Sequence, residues 1–399
     1  MSVAPSRHVR TAGAVPIVGP TSTSVPLLDV NRQYRAIGAQ ITAAIERVCE
    51  SGRFVLGPDC DELERSLAEY CQAPHAVACA SGSDALLLAL AACDVGAGDE
   101  VLMPSYTFFA TASAAWRVGA KPVFVDIDPA TFNLDPKLIE KLITPRTKAI
   151  LPVHLFGQCA DMTAINQIAR RHRLRVIEDA AQAIGAELDG HRAGSLSDIG
   201  CFSFYPTKNL GGFGDGGLLT TRDAALADRL RLLRGHGMQP RYYHQEVGIN
   251  SRLDTLQAAV LNVKLPHLDA WTVERQANAI RYGDLFEACG LDRVLTLPAA
   301  AANCRHVWNQ YIVRVPDGRR DALRTHLSEC KIGSEIYYPV PLHLQQCFAS
   351  LGYGPGSLKE SELAAAETLA LPIFPELTAD EQRTVVRAIV AFFGNTPGR

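Results

Sequence analysis

The chain has no apolar run of about 18 residues, so nothing in it reads as a membrane-spanning helix. It has no basic excess: 39 Lys and Arg against 42 Asp and Glu give a net charge of −3, which removes the electrostatic footprint of a nucleic-acid binder. No run of like charge marks an interaction tail. There is no Cys-x-x-Cys pair among the 11 scattered cysteines, an odd number, so neither a zinc site nor a disulfide framework is expected. Most of these cysteines read as small core residues of a reducing compartment, and a cytoplasmic location is expected. A phosphate-binding G-x-x-x-x-G-K-[ST] loop is missing too: the glycines it needs before Lys208 would fall on Phe202 and Thr207.

What is present is a long chain, 399 residues with 47% hydrophobic content, enough for a large core and a smaller second one. Residues 1–25, rich in Pro, Ser, Thr and Gly, read as a disordered leader, and prolines break their one apolar stretch. From about Val77 to Asp179 short apolar runs (HAVACA, EVLMP, KPVFVDI, KAILPV, RVIEDA) alternate with stretches of helical period (DALLLALAAC, FFATASAAWRVG, PKLIEKLI, MTAINQIARRH). Continuous apolar strands separated by helices argue an α/β fold with a mostly parallel sheet covered on both faces. Helices are also expected over Asp223–Arg234 and over Leu253–Ala288, with a break near Pro266. Beyond Leu291 two strand-like segments (VWNQYIVRV, KIGSEIYYPV) and three helical ones read as a small α+β domain. The division expected is a large domain over 26–265 and a connecting helix with the small domain over 266–399. The amphipathic segments Gln33–Glu50 and Asp59–Cys71 suit either.

In such sheets ligands gather at the carboxyl ends of the strands. After HAVACA comes Ser81-Gly82-Ser83-Asp84. Ser81 reads as an N-cap, with Asp84 completing a capping box. The same glycine and hydroxyls at a helix start above a parallel sheet also form a phosphate cradle. Tyr106 follows EVLMP; it either caps the core or stacks on a planar ring. Glu178 and Asp179 end RVIED, and strand alternation sends them to opposite faces, one to the binding edge and the other to the surface. Gly212–Gly217 fits G-x-G-x-x-G, but strand-like LLTT follows it rather than a helix, so it is no dinucleotide site. One lysine, Lys208, stands between Ser-Phe-Tyr-Pro and this glycine-dense exit. A phosphate cradle, a stacking aromatic, a carboxylate and a lysine are together what pyridoxal 5′-phosphate needs.

SGSDALLLAL, PSYTFFATASA, GAKPVFVDID, VHLFGQCADM, EDAAQAIGA, FSFYPTKNLGGFGDGG and INSRLDTLQAAVL occur in this order. With them the chain, over roughly Leu27–Val390, resembles the pyridoxal-phosphate sugar aminotransferases of the DegT/DnrJ/StrS type. The resemblance implies a fold-type-I aminotransferase. In it Lys208 matches the Schiff-base lysine, Asp179 the partner of the pyridine nitrogen and Gln182 the amide at the ring hydroxyl. Tyr106 sits where the family places its stacking aromatic. Gly82, Ser83 and Ser203 match phosphate binders, serine standing at 83 where the family often has threonine. Asn250 matches an asparagine that reaches the neighbouring subunit's cofactor phosphate, which implies a homodimer with shared sites. The implied reaction moves an amine from an amino acid, L-glutamate by preference, to a nucleotide-linked keto sugar, for antibiotic, lipopolysaccharide or other surface sugars. RYYHQEVGINSRLDTLQAA and IYYPVPLH look most like members that aminate a 3-keto sugar, linked to UDP or dTDP. There Arg241 matches an arginine that meets the adjacent subunit's substrate, and Tyr338 a tyrosine near the sugar. Position 337, often histidine in uronate-using members, is tyrosine here. Two alternatives remain: a sugar dehydratase using the same cofactor, which would replace the lysine by histidine, and a non-catalytic cofactor-binding regulator.

Overall fold

The computed structural model describes residues 24–394; of the leader expected over 1–25, only Ser24 and Val25 fall within them. Among the described residues twelve strands form three sheets. They are β1 (His75–Cys79), β2 (Glu100–Pro104), β3 (Lys121–Val125), β4 (Thr147–Ile150), β5 (Arg175–Asp179), β6 (Glu187–Leu188), β7 (His191–Arg192), β8 (Ile199–Ser203), β9 (Gly217–Thr221), β10 (Cys304–Arg305), β11 (Tyr311–Arg314) and β12 (Thr368–Leu371). Seven make the main sheet, in the order β1-β9-β8-β5-β4-β2-β3. All neighbours from β8 to β3 are parallel; β9 runs antiparallel to both β1 and β8.

The helices are α1 (Val30–Ser51), α2 (Pro58–Tyr70), α3 (Gly82–Ala92), α4 (Ala110–Arg117), α5 (Met162–His172), α6 (Ala224–Leu233), α7 (Thr255–Lys264), α8 (Leu268–Ala288), α9 (Arg320–Glu329), α10 (Lys359–Glu367) and α11 (Ala379–Gly394). Leu63 and Leu67 of α2, Ile165 and Ile168 of α5 and Leu261 of α7 cover one face of the sheet. Leu86, Leu88 and Leu90 of α3, Ala112 of α4 and Leu230 of α6 cover the other. This two-sided cover is what the unbroken apolar strands require. The amphipathic helix α1 lays Ile37, Ile41, Ala44 and Val48 on Ala259 and Val260 of α7.

A separate cluster gathers Tyr282 and Phe286 of α8, Tyr311 and Val313 of β11, Leu369 and Leu371 of β12, Leu323 and Leu327 of α9 and Val385 and Ile389 of α11, together with Val25. Two expected elements differ. PKLIEKLI forms two short 3₁₀ turns, Pro136–Leu138 and Glu140–Leu142. Pro145 directly behind Thr144 disfavours helical backbone at the end of the segment, and the chain closes as two short turns instead. KIGSEIYYPV is not a strand either: it makes only single bridges, Ile332 to Val25 and Glu335 to Ala370. The partner of β11 is instead TLAL, β12, and the tyrosines of the 332–340 segment turn toward the main sheet.

Candidate active site

Along β5, Val176 packs into one face of the sheet and Ile177 into the other. Pleating then sends Glu178 after Val176 and Asp179 after Ile177. Neither acid reaches the surface, contrary to the expectation for one of them: Glu178 is wholly buried and Asp179 nearly so. Glu178 accepts hydrogen bonds from Gly194 N (2.7 Å), Leu196 N (2.9 Å), Ser197 Oγ (2.9 Å) and His154 Nε2 (2.9 Å). Ala160 N donates to His154 Nδ1 (3.0 Å), so the imidazole proton is on Nε2. That carboxylate is fully engaged in holding loops.

Among the described residues Asp179 has two donors, Thr111 Oγ1 of α4 (2.8 Å) and Ala181 N (3.2 Å). Burial raises its pKa above the ordinary carboxylate value, and the two donors and the Lys208 charge work against that rise. A cationic N–H is the partner such a group lacks.

Lys208 lies in the loop between β8 and β9, which are hydrogen-bonded neighbours. The loop is drawn tight by Lys208 N to Tyr205 O (2.8 Å) and Gly212 N to Phe204 O (2.8 Å). Glycine is required at 211, where a Cβ would lie 2.5 Å from Pro206 O. The buried Lys264 ammonium donates to Gly211 O (2.5 Å), and Asn209 Nδ2 donates to Val307 O (2.9 Å). Burial lowers the Lys208 pKa to about 8, with the Asp179 charge opposing. Sequence reasoning missed Lys264, which looks like an ordinary helix-end lysine.

Ser81 caps α3, accepting from Asp84 N (3.1 Å). Gly82 sits against β8: a Cβ there would lie 2.7 Å from Ser203 Cβ. Only glycine leaves the backbone N–H groups of the helix start open beside the half-buried Ser83 and Ser203. Gly217 is equally constrained, with Ser81 O at 2.3 Å from a Cβ placed there.

Tyr106 is not free to stack. Its side chain is wholly buried, with Phe132, Phe156 and Tyr338 around the ring. Its hydroxyl meets Thr368 Oγ1 (2.7 Å) and Tyr337 O. The stacking expectation therefore moves two residues on. Phe108 is 55% exposed, lies against Tyr338 with ring centroids 6.0 Å apart, and its carbonyl accepts from Thr111 N (3.2 Å), the residue whose side chain binds Asp179. Nothing local in SYTFF tells which aromatic turns inward, because the contacts that bury Tyr106 come from Phe132, Phe156 and Thr368.

Gln182 and Tyr338 meet as well. Phe156 N donates to Gln182 Oε1 (2.7 Å), which orients the amide so that Nε2 donates to Tyr338 Oη (3.1 Å). The phenol proton is left available, and burial raises the Tyr338 pKa, which keeps it in place. Asn250 and Arg241 are exposed on the 235–250 segment. Arg241 rests on the Tyr242 ring, 4.8 Å from its centroid. Asn250 caps nothing: the residue preceding α7 is Asp254, and Ser251 Oγ instead accepts from Ala80 N (3.1 Å). A cavity of about 670 Å³ lined by Arg170, Asp198 and Arg222 opens at the other ends of β5 and β8, away from all of these.

The model of the DegT/DnrJ/EryC1/StrS aminotransferase family matches residues 35–390. The chain belongs to this family. It is 51% identical over 370 residues to the "Pleiotropic regulatory protein" of Geobacillus stearothermophilus, covering 93% of this chain and 99% of that one. It is 46% identical to the dTDP-3-amino-3,4,6-trideoxy-alpha-D-glucose transaminase of Streptomyces venezuelae, over 92% and 95%. The crystal structure of S. venezuelae DesV in complex with a ketimine intermediate superposes with a TM-score of 0.90 at 45% identity, covering 93% of this chain and 99% of that one. This DegT/DnrJ/EryC1/StrS protein is thus a pyridoxal-phosphate-dependent aminotransferase. Its own residues fit the cofactor. Gly82 keeps a cradle open that a Cβ would fill, Asp179 is a buried anion short of a cation, and Lys208 is a half-buried amine at the same strand ends.

Proposed function

We propose that this aminotransferase transfers the amine of L-glutamate to the 3-keto group of a UDP- or dTDP-linked sugar. Pyridoxal phosphate, when bound, supplies the aldehyde that takes the amine and a ring that spreads the charge left when a carbon loses its proton. The residues do the rest. Asp179 holds the proton on the ring nitrogen, because a buried carboxylate with two donors gains most from a third that carries charge. Lys208 Nζ, with a pKa near 8, is neutral often enough to take a proton from carbon and returns it as an acid. Gly82, Ser83 and Ser203 hold the phosphate, Phe108 covers a ring face, and Gln182 meets the ring hydroxyl. Tyr338 presents its free O–H to the sugar.

The observation that carries the reading is the convergence of Lys208, Asp179 and the Gln182–Tyr338 pair at the carboxyl ends of β5 and β8, in a chain 46% identical to a dTDP-3-amino sugar transaminase. Asn250 and Arg241 serve the neighbouring subunit of a homodimer in this reading; both are exposed. A regulatory role is the second reading, since the Geobacillus relative bears that name. The filled lysine and aspartate positions favour catalysis, and lysine rather than histidine at 208 disfavours a dehydratase. Incubation with ¹⁵N-glutamate and a panel of UDP- and dTDP-linked 3-keto and 4-keto sugars, read by mass spectrometry, is the test. Labelled 3-amino product is expected. A 4-amino product, or no labelled sugar with any acceptor, overturns the assignment.

A further inference from the structure

A second ordered line of side chains stands beside the site and takes no part in the chemistry above. Ser105, between β2 and Tyr106, places Oγ 2.6 Å from His343 Nδ1, and His343 Nε2 lies 3.0 Å from Glu362 Oε1 of α10. The serine and histidine side chains are 0% and 1% exposed, so no substrate reaches a Ser-His-Glu row that would otherwise suit a nucleophile. The hydrogen bonds have one consistent direction. The Glu362 carboxylate accepts, so in the neutral ring the proton is on Nε2 and Nδ1 accepts from Ser105 Oγ, which in turn accepts from His343 N (3.2 Å). Glu362 is fixed in turn by Gly356 N (2.8 Å) and Leu358 N (3.2 Å).

The same stretch of chain is bound to Ser105 and Tyr106 by its backbone. Leu342 N donates to Ser105 O (2.8 Å), Tyr338 N donates to Tyr106 Oη (3.1 Å), and Tyr106 Oη donates to Tyr337 O. Tyr338 is therefore held from both ends against the strand end that carries Phe108. Its backbone is fixed by Tyr106 and its downstream anchor by the Ser105–His343 pair. No β ladder does this work, since residues 332–340 form only single bridges.

We propose that Ser105, His343 and Glu362 are positioning residues that aim the Tyr338 O–H at the acceptor sugar, and so govern the second half of the reaction more than the first. The inference rests on the reading of Tyr338 as a sugar-facing residue. Ser105, His343 and Glu362 make no hydrogen bond to Lys208 or Asp179, and they reach the cofactor residues Gln182 and Phe108 only through Tyr338, so the donor half-reaction is the less affected of the two.

The test uses the cofactor-loaded enzyme and the variants Ser105→Ala, His343→Leu and His343→Asn. Asparagine keeps an acceptor near the Nδ1 position for Ser105; leucine does not. Ser105→Ala and His343→Leu should raise KM for the 3-keto nucleotide sugar about ten-fold, the scale of one or two lost buried hydrogen bonds. The glutamate half-reaction, followed by cofactor absorbance, should stay within about two-fold, and His343→Asn should recover most of the loss. Hydrogen exchange should quicken at the amides of Tyr338, Leu342 and His343 in Ser105→Ala, which keeps the assay decisive should the leucine variant fail to fold. Equal losses in both half-reactions, or unchanged exchange at Tyr338, would overturn the proposal. If the wild-type enzyme loads its amine from glutamate but aminates no sugar, the functional reading falls, and exchange at Tyr338 alone decides whether the bracket exists.

Discussion

At the scale of single residues, Lys208 and Asp179 are set against their own burial and support each other's charge. Burial takes Lys208 down to about 8, and the Asp179 anion limits the fall. The neutral amine is the reactive form, so in the apoenzyme trapping of Lys208 by pyridoxal and borohydride should rise with pH through a midpoint near 8. A midpoint near the ordinary lysine value of about 10.5 would contradict the burial argument. Asp179→Asn removes the opposing anion, so the same midpoint should move below 8. In the loaded enzyme this variant should keep its cofactor yet lose at least about a hundred-fold in amino transfer, the low end of what a placed proton-transfer group contributes; near-normal turnover would remove Asp179 from the mechanism. Lys208→Ala should give protein with no lysine Schiff-base band on adding pyridoxal phosphate and no amino transfer. Wild-type turnover in it would mean that another amine does this work.

At the scale of elements, legibility followed how local the cause was. Strands β1 to β5 and helices α3 and α5 were readable because alternation of apolar runs with helical period and Ser81 before α3 are local signals. The placing of Tyr106 and Phe108 was not, because which aromatic of SYTFF turns inward depends on Phe132, Phe156 and Thr368, far along the chain. The 332–340 segment misled for the same reason: its apolar tyrosines have strand composition, but Ser105 and Tyr106 hold them. Asn250 does not cap α7, whose N-cap residue is Asp254. Asn250→Ala should therefore change stability by less than about 0.5 kcal/mol, as an exposed substitution does, against about 1 kcal/mol for a lost cap. A thermal or urea titration separates the two. Cofactor affinity should fall in this variant if the side chain reaches a neighbour's phosphate.

At the scale of the whole molecule, the proposed sharing of sites makes a prediction that one chain cannot satisfy. Lys208→Ala and Asn250→Asp subunits, each weak alone, should regain about a quarter of wild-type activity on equal mixing, since half of randomly exchanged dimers are mixed and each mixed dimer has one intact site. No recovery after confirmed subunit exchange would place Asn250 outside the active site. The strand order has another consequence, for biosynthesis. β1 is an edge strand whose one ladder is with β9, His75 opposite Thr221. The main-sheet strand made first on the ribosome thus waits, unpaired, for the one made last, and long-range pairing of this kind is slow. The proposed phosphate cradle begins at Ser81, two residues after β1, and Gly217 of β9 packs on Ser81 O. A nascent or truncated chain that stops short of Thr221 has the lysine and the aspartate but no finished cradle. Tight cofactor capture therefore reports that the last strand is home, and a cell short of pyridoxal phosphate would lose this late stabilisation of a protein already fully translated.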